Sequence, residues 1–501
     1  MRLVTITAAV AALAAFMAAP AVAKKGCGQD CYLVGVATRS INPDPDGTYA
    51  GKPVYLGGYG IGSPPISDGR AATGILGDGI QVRALAVSDG TSPFVIADIE
   101  TQGWFAATRD GPYGLIDMRK EVERRTGGAL PATKVVVQSD HTHGGPDPIG
   151  VWGGVPVEYR KMIVERTVDA IVEAYQTMRP GRLYYGAVDG RDLLSNQFDY
   201  DESNKAMDSE VRVLQARDKK GAPFATLLNF SAHATVLGSS NTKVTGDWVT
   251  PANALLEQRF GGEAVTVVGT LGRSQPADRG CSDSSVPEGE ARDLCSIRDY
   301  ATRVVDRAEQ AAAAAQPIAG DPKVAAASYL ITDPATNALI LGLDLAGAPA
   351  GIPINRSLTP PWMTGNVIGT VVATARIGDV LLFSMPGEAY PQIPLKVRSI
   401  VPARGYLTAG LANDQLGYLI APFEAYPEPI RRSFFNQRGD EVSPIDNDNY
   451  FFNVSHTMGE RVTCGLLRGA GDLEGKDYRS RYDRCAAFAN DAVLPAGADT
   501  D

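Results

Sequence analysis

Lys134-Val135-Val136-Val137-Gln138, continued by Ser139-Asp140-His141-Thr142-His143-Gly144-Gly145-Pro146, is the stretch whose reading decides the fold. The valine run reads as a buried strand, and the glycines and proline behind it read as a loop. Side chains two residues apart in an extended segment share a side, so both imidazoles are expected to face one point. Strand ends are where α/β proteins gather their chemistry. The whole chain has four histidines. Half of them at one polar strand end point to a metal site rather than to a structural pair.

Working outward, Phe94 to Ala97, Phe224 to Phe230, Val265 to Val268 and Val380 to Met385 also read as buried strands. Tyr159, Ile163, Thr167, Ile171, Ala174 and Met178 trace one face of a helix that stops at Pro180, and a second helix is expected over Ile297 to Ala315. This alternation predicts an α/β (α+β) fold, mixed β-sheets flanked by helices with the active site at strand ends. No internal repeat is evident. The five strands are followed by Asp98 and Glu100, by His141 and His143, by His233, by Gly272-Arg273-Ser274-Gln275-Pro276, and by Pro386-Gly387-Glu388. Five such ends are consistent with one shared pocket.

Met1-Arg2, an apolar Ala/Val/Leu run to Ala19 and the small residues before Lys24 have the form of a secretory signal peptide, residues 1–23, cleaved after Ala23. The expected mature protein is residues 24–501, a single domain in a bacterial periplasm or medium. No later run has the apolar length of a transmembrane anchor. In an exported chain the six cysteines imply disulfides, and they fall into three local couples: Cys27/Cys31, Cys281/Cys295 and Cys464/Cys485. A net charge of −10 with no basic run argues against nucleic-acid binding. A chain that is 44% apolar can build a substantial core.

Zinc takes imidazole and carboxylate ligands, and a catalytic site keeps one position open. His141, His233 and Glu388 could supply such a set, with His143 beside it. The competing reading makes His233 a core histidine and Glu388 a loop carboxylate. His456 has no ligand pattern around it and reads as structural.

The segment His141-Thr142-His143-Gly144-Gly145-Pro146 strongly resembles the His-Thr-His-Ser-Gly-Pro motif of the neutral (non-lysosomal) ceramidases. Gly57-Gly58-Tyr59-Gly60 and Gly79-Ile80-Gln81-Val82-Arg83-Ala84 are similar to that family's early blocks. Asn229 to Thr235 with Thr245-Gly246-Asp247, then Pro386-Gly387-Glu388, then Tyr406 to Asn413, follow in the family's order. The resemblance implies zinc held by His141, His233, Glu388 and Tyr426, with His143 touching the reacting amide or the attacking water. It implies hydrolysis of the N-acyl bond of ceramide to fatty acid and sphingoid base.

Two departures stand out. Family ceramidases carry a serine in a Gly-Asp-Val-Ser-Pro-Asn segment. Here the matching stretch puts Gln275 at that position and Ser274 one place early, an offset that turns a side chain to the other face of a strand. Either the loop re-aims Ser274, or this branch works without a serine, water activated by zinc being a sufficient nucleophile. Arg273 or Gln275 would then orient substrate or stabilise an oxyanion. The family also appends an immunoglobulin-like domain, and the residues after Tyr426 are too few for a sandwich of about 100 residues; its absence is expected. The expectation is therefore an exported zinc amidohydrolase acting on ceramide or a similar lipid amide, with transient membrane-surface contact compatible. The alternatives are a zinc hydrolase of another N-acyl amide or carboxylic ester, and a non-catalytic zinc-binding protein. Asp247 is a candidate partner for a histidine N–H.

Overall fold

The computed structural model describes residues 30–59, 69–108, 111–196, 206–319, 323–337, 367–420, 452–455, 457–488 and 494–495. Eight strands of the main sheet are β1 (Tyr32–Ser40), β2 (Gln81–Ser88), β3 (Pro93–Ile99), β4 (Val135–Ser139), β5 (Arg179–Asp189), β6 (Glu210–Arg217), β7 (Pro223–Phe230) and β8 (Glu263–Val268). They lie in the order β8-β7-β6-β5-β1-β2-β3-β4, and the short strand Gln316–Pro317 pairs with β5. All pairs along this path are antiparallel except β3/β4 and β7/β8, which are parallel and close the two edges.

This order corrects one expectation. The chain does repeat, in topology: strand, strand, strand, helix, parallel strand, helix, twice over. The helices are α1 (Leu115–Arg125) and α2 (Val157–Gln176) in the first half, and α3 (Val249–Phe260) and α4 (Glu290–Ala314) in the second. The trace in sequence is short, Val82-Arg83-Ala84-Leu85 against Val211-Arg212-Val213-Leu214, then Pro93-Phe94 against Pro223-Phe224. A bulge at Ala216/Arg217 puts the second pair one residue out of step. Each half also needs a glycine where its outer helix crosses its first strand. A Cβ on Gly35 would lie 2.0 Å from the Ala174 carbonyl oxygen, and one on Gly186 2.0 Å from that of Ala311.

Strand alternation sorts the core into layers. Val82, Ala84 and Ala86 of β2, with Val95, Ala97 and Ile99 of β3, pack under α1 and α2, while Leu85, Val87, Phe94 and Ile96 face the other way. There they meet a second sheet built from β9 (Val324–Pro334), β10 (Val367–Ile377), β11 (Val380–Ser384) and β12 (Gly405–Ala409), with Leu382 and Leu407 in the shared core. The far side of this sheet is covered by α5 (Gln392–Ile400) and α6 (Met458–Glu474). The result is four layers: helices, sheet, sheet, helices.

The five strands expected from the sequence are β3, β4, β7, β8 and β11. The expected helix over Tyr159 to Met178 is α2, closed at Thr177 before β5 takes up Pro180. The helix expected from Ile297 begins earlier, at Glu290, with Glu290 and Asp293 in its first turn, where acids favour the dipole. Cys281–Cys295 and Cys464–Cys485 are disulfides, and Cys31 is also disulfide-bonded, its expected partner Cys27 lying outside the described residues. Among the described residues no helix is long and apolar enough to cross a membrane.

Candidate metal centre

The ends of β4, β7, β8, β11 and β12 meet at one edge of the two sheets. The Ser139 N–H donates to the Leu411 carbonyl, the Gly410 N–H to that of Val268, and the Met385 N–H to that of Ala409. The turn after β4 is pinned to the loop after β7 by the His143 N–H on the Ala234 carbonyl (3.1 Å) and the Thr142 hydroxyl on the Thr245 carbonyl (2.8 Å). His141 has φ +64°. The pair therefore does not lie on an extended segment, and its convergence comes from a left-handed turn rather than from strand alternation. His141, Asp247, Leu411 and Asn413 are four of the five non-glycine residues with positive φ among the described residues, all of them beside this edge. Such conformations cost on the order of 1–3 kcal/mol each and persist where the surroundings over-determine them.

Three imidazoles and one carboxylate converge. His233 Nε2 lies 3.2 Å from Glu388 Oε2, His141 Nε2 lies 3.4 Å from the same oxygen, and His143 Nε2 lies 3.2 Å from His141 Nε2. Neighbouring donors on a tetrahedral zinc ion are separated by about 3.3–3.4 Å. These separations are of the size a zinc ion would need, and they bring His233 and Glu388 together with His141. The ring tautomers fit as well. His141 Nδ1 donates to the Gln102 carbonyl (2.6 Å) and His233 Nδ1 to the Ser274 carbonyl (3.0 Å), leaving each Nε2 lone pair for a metal. His143, expected beside the ligands, has its Nε2 in the donor cluster. Its Nδ1 has no partner among the described residues, unlike the other two.

His143 is held by packing instead. The Tyr59 ring meets it edge-on, centroids 4.6 Å apart, and the Tyr59 hydroxyl is anchored on the Leu237 carbonyl (3.0 Å). Gly58, at φ +93°, lies so close that a Cβ there would sit 2.4 Å from the imidazole. Gly57-Gly58-Tyr59 was legible as a motif; that it cradles a histidine was not.

Burial alone would raise Glu388, but His141 and then His233 outweigh it and hold the carboxyl well below its usual range. Burial, then the neighbouring His141 and His233, push His143 well below the ordinary histidine value. Behind the histidines three buried carboxyls have raised pKa values. Burial raises Asp98, Glu100 (to about 7) and Asp140, with mutual repulsion adding to it at Asp98 and Asp140.

Asp247 is not the histidine partner. Its carboxylate accepts the backbone N–H groups of Val236, Leu237 and Trp248, and so shapes the turn after His233. Burial lifts it to about 6. Ser274 is buried, its hydroxyl directed at Met207 Sδ (3.9 Å). Arg273 is buried over the Tyr390 ring, its Cζ 5.5 Å from the centroid. Gln275 lines the cavity. Tyr426, the fourth expected ligand, and His456 lie outside the described residues.

The donors open into a cavity of about 240 Å³. Phe105, Ile149, Val151, Trp152 and Phe452 give it an apolar wall, and Gln102, Gln275 and Gln415 line it with amides. Its chemistry suits a neutral group with an apolar chain held beside the three histidines and Glu388.

No protein-family model and no curated relative matches the chain by sequence. Solved structures do match. The crystal structure of neutral ceramidase from Pseudomonas aeruginosa superposes with a TM-score of 0.67 at 17% identity, covering 89% of this chain and 75% of that one. A ceramidase complexed with C2 superposes with a TM-score of 0.63 at 16% identity, covering 89% and 76%. The chain has a neutral ceramidase-like α/β fold.

Proposed function

We propose that this protein is a zinc-dependent amidohydrolase that cleaves the N-acyl bond of ceramide or a ceramide-like lipid amide, giving a fatty acid and an amine. The single observation that carries the reading is the convergence of His141 and His233 on one oxygen of Glu388, at 3.4 and 3.2 Å, with His143 Nε2 3.2 Å from His141 Nε2 beside them; three such ligands leave a position open, as a catalytic zinc site needs. The ceramidase-like fold supports the choice of an amide, and the apolar wall beside the donors supports a lipid chain. The sequence resemblance adds Tyr426 as a further ligand.

A zinc ion bound here supplies Lewis acidity and brings the pKa of a water towards neutrality. The chain's own residues do the rest. His141 and His233 are locked by the Gln102 and Ser274 carbonyls, so the centre is preorganised. His143 takes a proton from the attacking water as its oxygen bonds to the acyl carbon. It then gives that proton to the amine nitrogen as the C–N bond breaks. The apolar wall holds the chain and excludes bulk water.

Residues 24–501 are proposed to act as one catalytic unit, exported after cleavage behind Ala23. The disulfides support export. A second reading, another N-acyl amide or a carboxylic ester as substrate, is favoured by the side chain of Ser274 facing Met207 rather than the cavity. A panel of ceramides, N-acyl amino acids and p-nitrophenyl esters tests the choice: ceramide turnover is expected. Fast ester hydrolysis with no ceramide turnover would overturn it.

A further inference from the structure

The short strand Ser274–Pro276 pairs antiparallel with Leu194–Asn196, setting Ser274 opposite Asn196 and Gln275 opposite Ser195. Neighbouring side chains of a strand point to opposite faces. Ser274 takes the buried face against Met207, and Gln275 takes the cavity face. This places an amide where the ceramidase pattern carries a serine.

That amide is oriented. The Thr235 hydroxyl donates to Gln275 Oε1 (2.9 Å), which fixes the oxygen and turns Nε2 towards the His233 ring, 3.3 Å from Nδ1. His233 Nδ1 already donates its proton to the Ser274 carbonyl (3.0 Å), so it cannot also accept one from Gln275. Among the described residues the Gln275 N–H groups have no other acceptor. Thr235 and Gln275 both line the cavity beside the metal donors.

We infer that the Gln275 amide N–H is the donor that holds and polarises the acyl oxygen of the substrate, so the loop over residues 272–277 contributes an oxyanion contact and no nucleophile. This assignment rests on the hydrolase reading above. A preorganised donor of this kind contributes about 10²–10³-fold to turnover. Gln275 is thereby a catalytic residue, and the Thr235 hydroxyl is the positioning group that holds its amide oxygen.

The test uses the zinc-loaded full chain and a phosphonamidate analogue of the amide, whose tetrahedral oxygen mimics the reacting one. Gln275→Met removes the donor without adding charge. The expected result is about 10²-fold weaker analogue binding by calorimetry and a similar loss in kcat on the N-acyl amide, with zinc content unchanged and KM within severalfold. Equal analogue affinity in wild type and variant overturns the Gln275 assignment while wild-type hydrolysis leaves the hydrolase reading standing. A wild type that neither binds the analogue nor hydrolyses any amide overturns both. Should Gln275→Met lose zinc, Gln275→Leu decides by the same comparison, because it is also uncharged and has no N–H.

Discussion

In the first half of the main sheet Arg83 on β2 lies opposite Asp98 on β3; in the second half Arg212 on β6 lies opposite Asn229 on β7. One topology thus places an arginine and a polar partner at the same point twice, but the surroundings differ. Arg212 is fully buried and pairs with Asp208 and Glu210, and Asp208 also accepts from Arg398, Ser231 and Thr408. Asn229 is bonded on both ends of its amide. Arg83 is instead engaged by Glu257, Gln81 and the Ala264 carbonyl, and one oxygen each of Asp98, Glu100 and Asp140 has no partner among the described residues. The half that delivers one histidine is stapled by a satisfied ion network. The half that delivers two carries acids that Arg83 only partly offsets, and pH sensitivity is expected there.

The largest effect should erase the difference between the halves. His141→Ala and His233→Ala take one donor from each, and both are expected to weaken zinc binding by more than about 100-fold, beyond the loss typical of outer-shell partners. Turnover should vanish with the metal in each. Retained zinc in either variant would show that its half is dispensable.

Next in size is Asp208→Ala, which leaves Arg212 buried without its main partner. Denaturant melts should show a loss of about 3–5 kcal/mol. Burial raises Asp208, yet Arg212 overrides it and holds the carboxyl below its usual range, so this contribution is present above the unfolded value and is lost as pH falls through the folded one. A loss under about 1 kcal/mol would deny the second half its role.

Glu100→Gln should act in the opposite direction. Its Oε2 accepts the Gln81 N–H and the Thr250 hydroxyl, contacts that an amide oxygen can keep. Burial raises this carboxyl from 4.5 to about 7. The folded state therefore binds the proton more tightly. Its stabilising contribution is complete below the unfolded value of 4.5 and is lost as pH rises through 7. At pH 8 the variant should be more stable than wild type by roughly 1–3 kcal/mol, with the gain disappearing near pH 4. Melts at the two pH values check this, and a gain that does not depend on pH would contradict it.

Ser274→Ala should do least: turnover within about threefold of wild type, since the hydroxyl faces Met207 and only the backbone carbonyl touches His233. A dead variant that keeps its zinc would reinstate a serine-dependent reaction.

Much of this was legible. The apolar runs of β3, β4 and β8 are buried on both faces, which is why a plain apolar count finds them. β5 opens with Arg179-Pro180-Gly181, and β9 has Ala325-Ala326-Ala327 near its start, so the first halves of both carry a weak strand signal. α6 holds Gly459, Gly465, Gly469 and Gly471, poor helix formers. Two of them are needed because the helix presses onto β10: a Cβ on Gly465 would lie 2.7 Å from Val372, and one on Gly469 2.6 Å from Thr374. At the site, residue types and order pointed to His141, His233 and Glu388. The left-handed turn at His141, the carbonyls that fix the rings and the Asp247 backbone contacts depend on loops meeting from distant strands, and no local pattern encodes them.

Elemental analysis of the purified protein, paired with N-acyl amide hydrolysis before and after chelation, tests the central claim most directly. One zinc per chain is expected, with activity lost on chelation, restored by zinc, and neither metal nor activity in His233→Ala. Full hydrolysis by metal-free protein, or one zinc per chain retained in His233→Ala, would contradict it.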